Sequence, residues 1–149
     1  MKVRFAILAA VAVAAVAVAG TKAAAGKPEQ NVPLPELKWE QPFGKDGPAF
    51  ATIWGDRNKT EHGTFLKLTA GAPAQMHTHA LDSYGVVITG TVHHVVEGRV
   101  GKDLGPGGWW YMPPNVPHQS ICAAGGPDCL VFIHNPGPFS YAAVDEKKK

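Results

Sequence analysis

Few side chains in this sequence carry charge, only two are cysteine, and beyond residue 20 no apolar run is long. Asp, Glu, Lys and Arg make up 17% of the chain, and 17 Gly and 13 Pro interrupt it throughout. No stretch after the first twenty residues sustains a helical period, which excludes a doubly wound α/β fold. A phosphate-cradling glycine loop opening a helix is missing, and so is a nucleophile elbow, which disfavours hydrolysis by an activated serine. The formal charge of +2 falls to zero if Lys2 and Arg4 are lost with a leader, so nucleic acid is not an expected partner.

The one long apolar run is at the start. Met1-Lys2-Val3-Arg4 is followed by uncharged residues from Phe5 to Gly20, the charged and apolar regions of a secretory signal peptide within residues 1–25. The rival reading is a membrane anchor, but a span needs roughly 20 apolar residues, and the expectation is no stable membrane insertion after cleavage. Small-x-small sites end at Ala19 and at Ala25, and the sequence does not choose between them. The expected location is therefore periplasmic or secreted. Cys122 and Cys129 flank Ala-Ala-Gly-Gly-Pro-Asp, a turn-forming stretch, so in an oxidising compartment they are expected to form a disulfide across a hairpin loop.

Residues 26–48 hold Pro28, Pro33, Pro35, Pro42 and Pro48, which predicts an extended arm with Leu34, Leu37, Trp39 and Phe43 available to pack on the domain. From residue 49 short runs rich in Val, Ile, Phe and Thr recur between Gly and Pro, at 49–54, 64–69, 75–79, 84–89, 91–97, 108–112, 117–122 and 129–134. About eight such strands predict a single all-β domain over 49–142, a jelly roll or an open sandwich. A charged tail, 143–149, follows.

Two histidines stand one residue apart in Gln75-Met76-His77-Thr78-His79, so on a strand both project from one face, about 7 Å apart. Alone this signal is weak. His118 adds a third imidazole where Pro113-Pro114-Asn115-Val116-Pro117 delivers it to the start of a new strand. Gly71, His77, His79 and Gly90 fall on the first motif of the cupin superfamily, and Gly107, Pro113 and His118 on the second, so residues 71–122 resemble a cupin. The resemblance implies a double-stranded β-helix barrel whose mouth holds one divalent metal on His77, His79 and His118.

Three positions depart from the motifs. Ser83 stands where cupins place a metal-binding glutamate, Asn115 replaces a glycine, and Cys122 replaces an asparagine. Three open readings follow from Ser83: a three-histidine site, a water in the gap, or Asp82 reaching in as a fourth ligand through a bulge. No catalytic residue is assigned; Tyr84, which could donate a phenolic hydrogen bond near the metal but reads first as a half-buried strand residue, and Asp82 are the candidates. Of the adjacent His93 and His94, one is expected to face inward, more as a satisfied core residue than as a substrate contact; His134 is given similar weight, and His62 reads as a loop residue. Trp109, Trp110 and Tyr111 alternate across a strand, and most of their area is assigned to the core. The pocket's specificity depends on which of Phe65, Met76, Tyr84, Val86, Ile88, Trp110, Met112 and Phe132 face inward.

Three facial imidazoles leave metal positions open. With Fe(II), the metal favoured by the resemblance, a bidentate enol, catechol or hydroxy-ketone and O2 would fit, giving a dioxygenase-like oxidoreductase. With Zn(II) an acidified water would support hydrolysis or isomerisation; Mn, Cu and Ni are not excluded. The alternative is a non-catalytic barrel that binds a small molecule or a metal. A homodimer through a sheet edge is the one protein partner expected.

Overall fold

The computed structural model describes residues 26–144; the signal-peptide reading and the charged tail from residue 145 lie outside them. Residues 26–31 carry no strand or helix, and the folded unit described here starts at Val32. Its prolines permit one 3-10 turn, Leu34–Glu36, where a fully extended arm was expected. The arm then pairs with the barrel at a single bridge: Glu40 and Phe50 exchange both backbone hydrogen bonds at 2.8 Å. Trp39 lies under the Lys67 ammonium at 4.5 Å and Phe43 against Tyr141 at 5.1 Å, while Leu34 stays exposed.

Ten strands follow among the described residues: β1 Ala49–Gly55, β2 His62–Leu68, β3 His77–Thr78, β4 Ser83–Thr89, β5 Val92–Val96, β6 Lys102–Leu104, β7 Trp109–Met112, β8 His118–Cys122, β9 Cys129–Asn135 and β10 Ala142–Ala143. All recorded pairings are antiparallel. They form two five-stranded sheets, β1-β2-β9-β4-β7 and β10-β3-β8-β5-β6. Two strands, β6 and β10, escape the sequence pattern because three and two residues are too few to show alternation. Among the described residues no helix is long and apolar enough to cross a membrane.

The sheets pack face to face through the residues that alternate onto their inner sides, which are apolar around the disulfide. Val87, Trp110, Met112, Cys129 and Val131 from the first sheet meet Val92 and Cys122 from the second in one buried cluster. β4 shows the period plainly, with Ser83, Gly85 and Val87 buried and Tyr84, Val86 and Ile88 exposed. Gly85 has a specific reason to lack a side chain: Trp110 of the neighbouring strand lies across it, so close that a Cβ would overlap the indole.

The outer face of the first sheet corrects the expectation that the aromatic strand is mostly core. Trp109 is 64% and Tyr111 44% exposed, and only Trp110 is buried. Tyr84 stacks between Tyr111 and His134 on that same outer face, with Trp54 beyond His134.

The Cys122–Cys129 disulfide is present and closes the β8–β9 turn, with both sulfurs in the core. It links the two sheets, since β8 belongs to one and β9 to the other. Cross-linking so short a loop removes unfolded-chain entropy worth about 2 kcal/mol. A Cys122→Ala/Cys129→Ala variant should unfold at correspondingly lower denaturant, and wild type under reducing conditions should match it; coincident oxidised and reduced curves would show that the bond contributes nothing.

Candidate metal centre

Backbone pairing assembles the three histidines. His77 on β3 lies directly across from His118 on β8 in an antiparallel ladder, and His79 follows His77 by two residues on the same face. Their ring centroids stand 4.6 Å (His77–His118), 4.9 Å (His77–His79) and 5.1 Å (His79–His118) apart. One ring nitrogen from each lies within 4.8 Å of the other two, the arrangement a single ion requires.

The turn that delivers His118 explains one departure from the motif. Asn115 takes φ 59°, the only positive φ outside glycine among the described residues, and its N–H donates to the His79 carbonyl at 2.8 Å. Asparagine tolerates this left-handed backbone better than other residues with a Cβ, so it can do the motif glycine's work.

The hydrogen bonds settle which nitrogen is free. Nδ1 of His77 faces the Gln75 carbonyl at 2.8 Å, Nδ1 of His118 the Val116 carbonyl at 2.9 Å, and Nδ1 of His79 the Ser140 carbonyl. A carbonyl only accepts, so each Nδ1 carries the hydrogen and each neutral ring keeps its lone pair on Nε2. That is the outer support a metal-ligating histidine needs. Burial pushes His118 down to about 4 and holds His77 and His79 below the ordinary value of 6.5, so all three are neutral at pH 7. The residues present therefore fit a divalent metal such as Fe, Zn, Cu or Ni, for which imidazole is a good ligand.

Neither acidic nor phenolic candidate joins them. Asp82 accepts a hydrogen bond from Tyr111 Oη at 3.0 Å, and its carboxylate is not part of the histidine group. Tyr84 is on the outer face of the sheet, away from the cavity, because it alternates with inward Ser83 and Gly85. Ser83, at the position of the cupin glutamate, is buried and lines the same cavity as the histidines. His94 is the inward member of its pair, stacked on Trp110 at 4.8 Å. Its Nε2 approaches the Met112 thioether at 3.4 Å and its Nδ1 the Ser120 hydroxyl at 2.9 Å, so both nitrogens are engaged and it is no ligand. His93 faces Asp103 and His134 faces Glu61, both on the exterior.

The histidines open on a cavity of about 400 Å³. Apolar walls come from Phe43, Phe50, Leu66, Ile133, Phe139 and Tyr141; Tyr141 stacks on His77 at 4.6 Å. A polar row crosses the opposite sheet, where His62 pairs with Asn135 and the Asn135 Nδ2 donates to the Asp82 carbonyl beside Ser83. His62 is 1% exposed and begins β2, which corrects its reading as a loop residue. Sequence reasoning also passed over Arg57, Asn135 and Tyr141. The alternation of His62 with Thr64, Leu66 and Leu68 was the available signal for His62, and nothing local marked Arg57, Asn135 or Tyr141.

Two antiparallel sheets closing on a histidine trio at one end have the architecture of a cupin fold. Solved structures agree on the fold: a polyketide cyclase, RemF, from Streptomyces resistomycificus (18% identity, TM-score 0.64, 81% of this chain and 89% of that one), an RmlC-like cupin from Ralstonia eutropha JMP134 (20%, 0.60, 76% and 72%) and an RmlC-like cupin from Shewanella frigidimarina NCIMB 400 (23%, 0.57, 73% and 92%). Residues 33–149 match the family described as Domain of unknown function (DUF4437), and the chain belongs to that family. No curated protein matches it in sequence.

The low values for His118 and His94, both about 4, carry a pH consequence. An unfolded histidine takes up its proton near 6.5, so the metal-free fold binds fewer protons than the unfolded chain between 6.5 and about 4. Stability contributed by the neutral rings is complete above pH 6.5 and is lost progressively as pH falls toward 4. Thermal unfolding of metal-free protein across this window should show a falling midpoint, and a flat profile would contradict the burial of these rings.

Proposed function

We propose that this protein is an exported three-histidine metalloenzyme that oxidises a small enolic, phenolic or carbonyl compound in its barrel, with Fe(II) as the leading metal. The observation that carries the reading is the set of three Nδ1–H donors spent on backbone carbonyls, which aims three Nε2 lone pairs at one point. His62 also turns Nδ1 to a carbonyl, and what sets the three apart from it is that their rings converge. The similarity of fold to a polyketide cyclase adds that barrels of this shape accommodate small-molecule chemistry, without assigning that chemistry here.

His77, His79 and His118 would hold the metal, which when bound supplies Lewis acidity and, as iron, access to redox chemistry. The protein's own contribution is positioning and exclusion of water. Phe43, Phe139 and Tyr141 cover the histidine end with aromatic surface, and Tyr141, its hydroxyl pushed above the usual phenol range by burial, stays protonated and can donate. Ser83 in place of a carboxylate leaves the ligand set neutral, so charge on the substrate is not repelled from this side.

Metal analysis of protein purified from its own cell envelope without chelator tests the assignment. About one equivalent of iron, lost in His77→Ala/His118→Ala, supports the oxygenase and predicts oxygen uptake with enols or catechols. Zinc in the same amount redirects the chemistry to hydrolysis or isomerisation. Metal bound with no turnover of any such compound favours the binding barrel, and protein that stays empty after reconstitution refutes the metal site.

A further inference from the structure

Among the described residues one cation borders the cavity, and the histidine chemistry does not use it. Arg57 follows β1 in the turn to β2 and is 9% exposed, yet it carries a guanidinium. It stands over the Phe50 ring at 5.0 Å and the Phe139 ring at 5.7 Å, and it lines the cavity. Phe139 in turn lies 5.5 Å from the His79 ring, so a single aromatic ring separates the guanidinium from the metal ligands.

Its recorded neutralisation is slight. Nη2 donates to Glu40 Oε2 at 2.9 Å, the one ion pair found for this side chain among the described residues. Glu40 belongs to the arm and its side chain is 70% exposed, so it surrenders little by returning to water. An arginine presents five N–H donors in a fork shaped for a carboxylate, and this pair uses one nitrogen. A buried cation facing a wet, displaceable carboxylate is the imbalance a ligand anion can correct.

The sheet that carries Arg57 also offers acceptors. Asn135 is 3% exposed, its Nδ2 is spent on the Asp82 carbonyl, and its Oδ1 has no partner among the described residues. His62 beside it gives its Nδ1 hydrogen to the Thr60 carbonyl, which leaves the neutral ring's lone pair on Nε2. A buried acceptor left without a donor is costly, so this row favours a ligand that brings a hydroxyl.

We infer that the cavity takes a small hydroxylated carboxylic acid, whose carboxylate docks on Arg57 in place of Glu40 while its hydroxyl faces Asn135 and His62. This narrows the substrate class of the proposed enzyme to acids and rests on the same cavity being its ligand site, though not on which metal it holds.

The test is calorimetric titration of the full-length mature protein, metal-free and zinc-loaded in parallel, with benzoate, 4-hydroxybenzoate, lactate and pyruvate, each beside its neutral amide. At least one acid should bind tenfold or more tightly than its amide in both metal states, and Arg57→Gln should abolish that preference. Glu40→Gln should have the opposite effect and tighten the acid several-fold, because it removes the competitor. A purely structural Arg57, stapling the arm to the barrel, predicts that Glu40→Gln lowers stability without changing acid binding, and that result overturns the inference even if Arg57→Gln fails to fold. No preference for any acid over its amide also overturns it. Zinc affinity, measured separately by chelator competition, reports on the metal site alone: preserved zinc binding without acid preference sinks this proposal only, and acid preference without zinc binding sinks the metal reading only.

Discussion

Three hydrogen bonds from imidazole Nδ1 to backbone carbonyls govern what this barrel can do. Each carbonyl sits on a segment that something else must hold: Gln75 just before β3, Val116 in the proline-rich turn before β8, and Ser140 beyond β9. The Ser140 segment is set by β10, which pairs with β3 so that Ala143 lies across from His77. The centre therefore draws on three separated parts of the chain, and the antiparallel pairing of β3 with both β8 and β10 is what brings them together. Turning any one ring about its own bond would exchange a lone pair for an N–H and remove a ligand.

The cavity beside this centre exists because the two sheets do not fill their shared interior evenly. At one end the core is apolar and cross-linked, with Val87, Val92, Val131 and the disulfide packed together. At the other, small or polar residues take the inward positions of the first sheet: His62, Thr64, Ser83 and Asn135. Stability is thus concentrated away from the histidines. Polar groups that would cost free energy in a closed core become available to a ligand in an open one.

The histidine trio and the barrel were legible in the sequence for different reasons. His77 and His79 share a face by strand period alone, and the Pro113–Pro117 run marks the turn before His118, so local geometry sufficed. Pocket walls depend on register, where a shift of one residue exchanges inside for outside. Of the eight residues expected to compete for the interior, Trp110 and Met112 are buried, while Tyr84, Val86 and Ile88 are exposed. Phe65 and Phe132 face each other at 5.9 Å in the same row as Val86, on the outer side. In Tyr84–Ile88 the bulkier residues Tyr84, Val86 and Ile88 all face outward and only Gly85 and Val87 face inward, so hydrophobic alternation points to the wrong side. Arg57, Asn135 and Tyr141 reach the cavity through long-range pairing, which no local pattern encodes.

The replacement of a glutamate by Ser83 bears on more than ligand count. Three neutral imidazoles leave a divalent ion with its full charge, where a carboxylate ligand would halve it. Asp82, the nearest acid in sequence, is held outside by Tyr111 and cannot make up the difference. Arg57 adds a second positive group one aromatic ring away. In a cavity walled largely by apolar side chains such charges interact strongly, which favours a small ligand that carries negative charge. The same loss of a carboxylate that makes the metal site look incomplete is, on this electrostatic ground, what suits it to an anionic ligand.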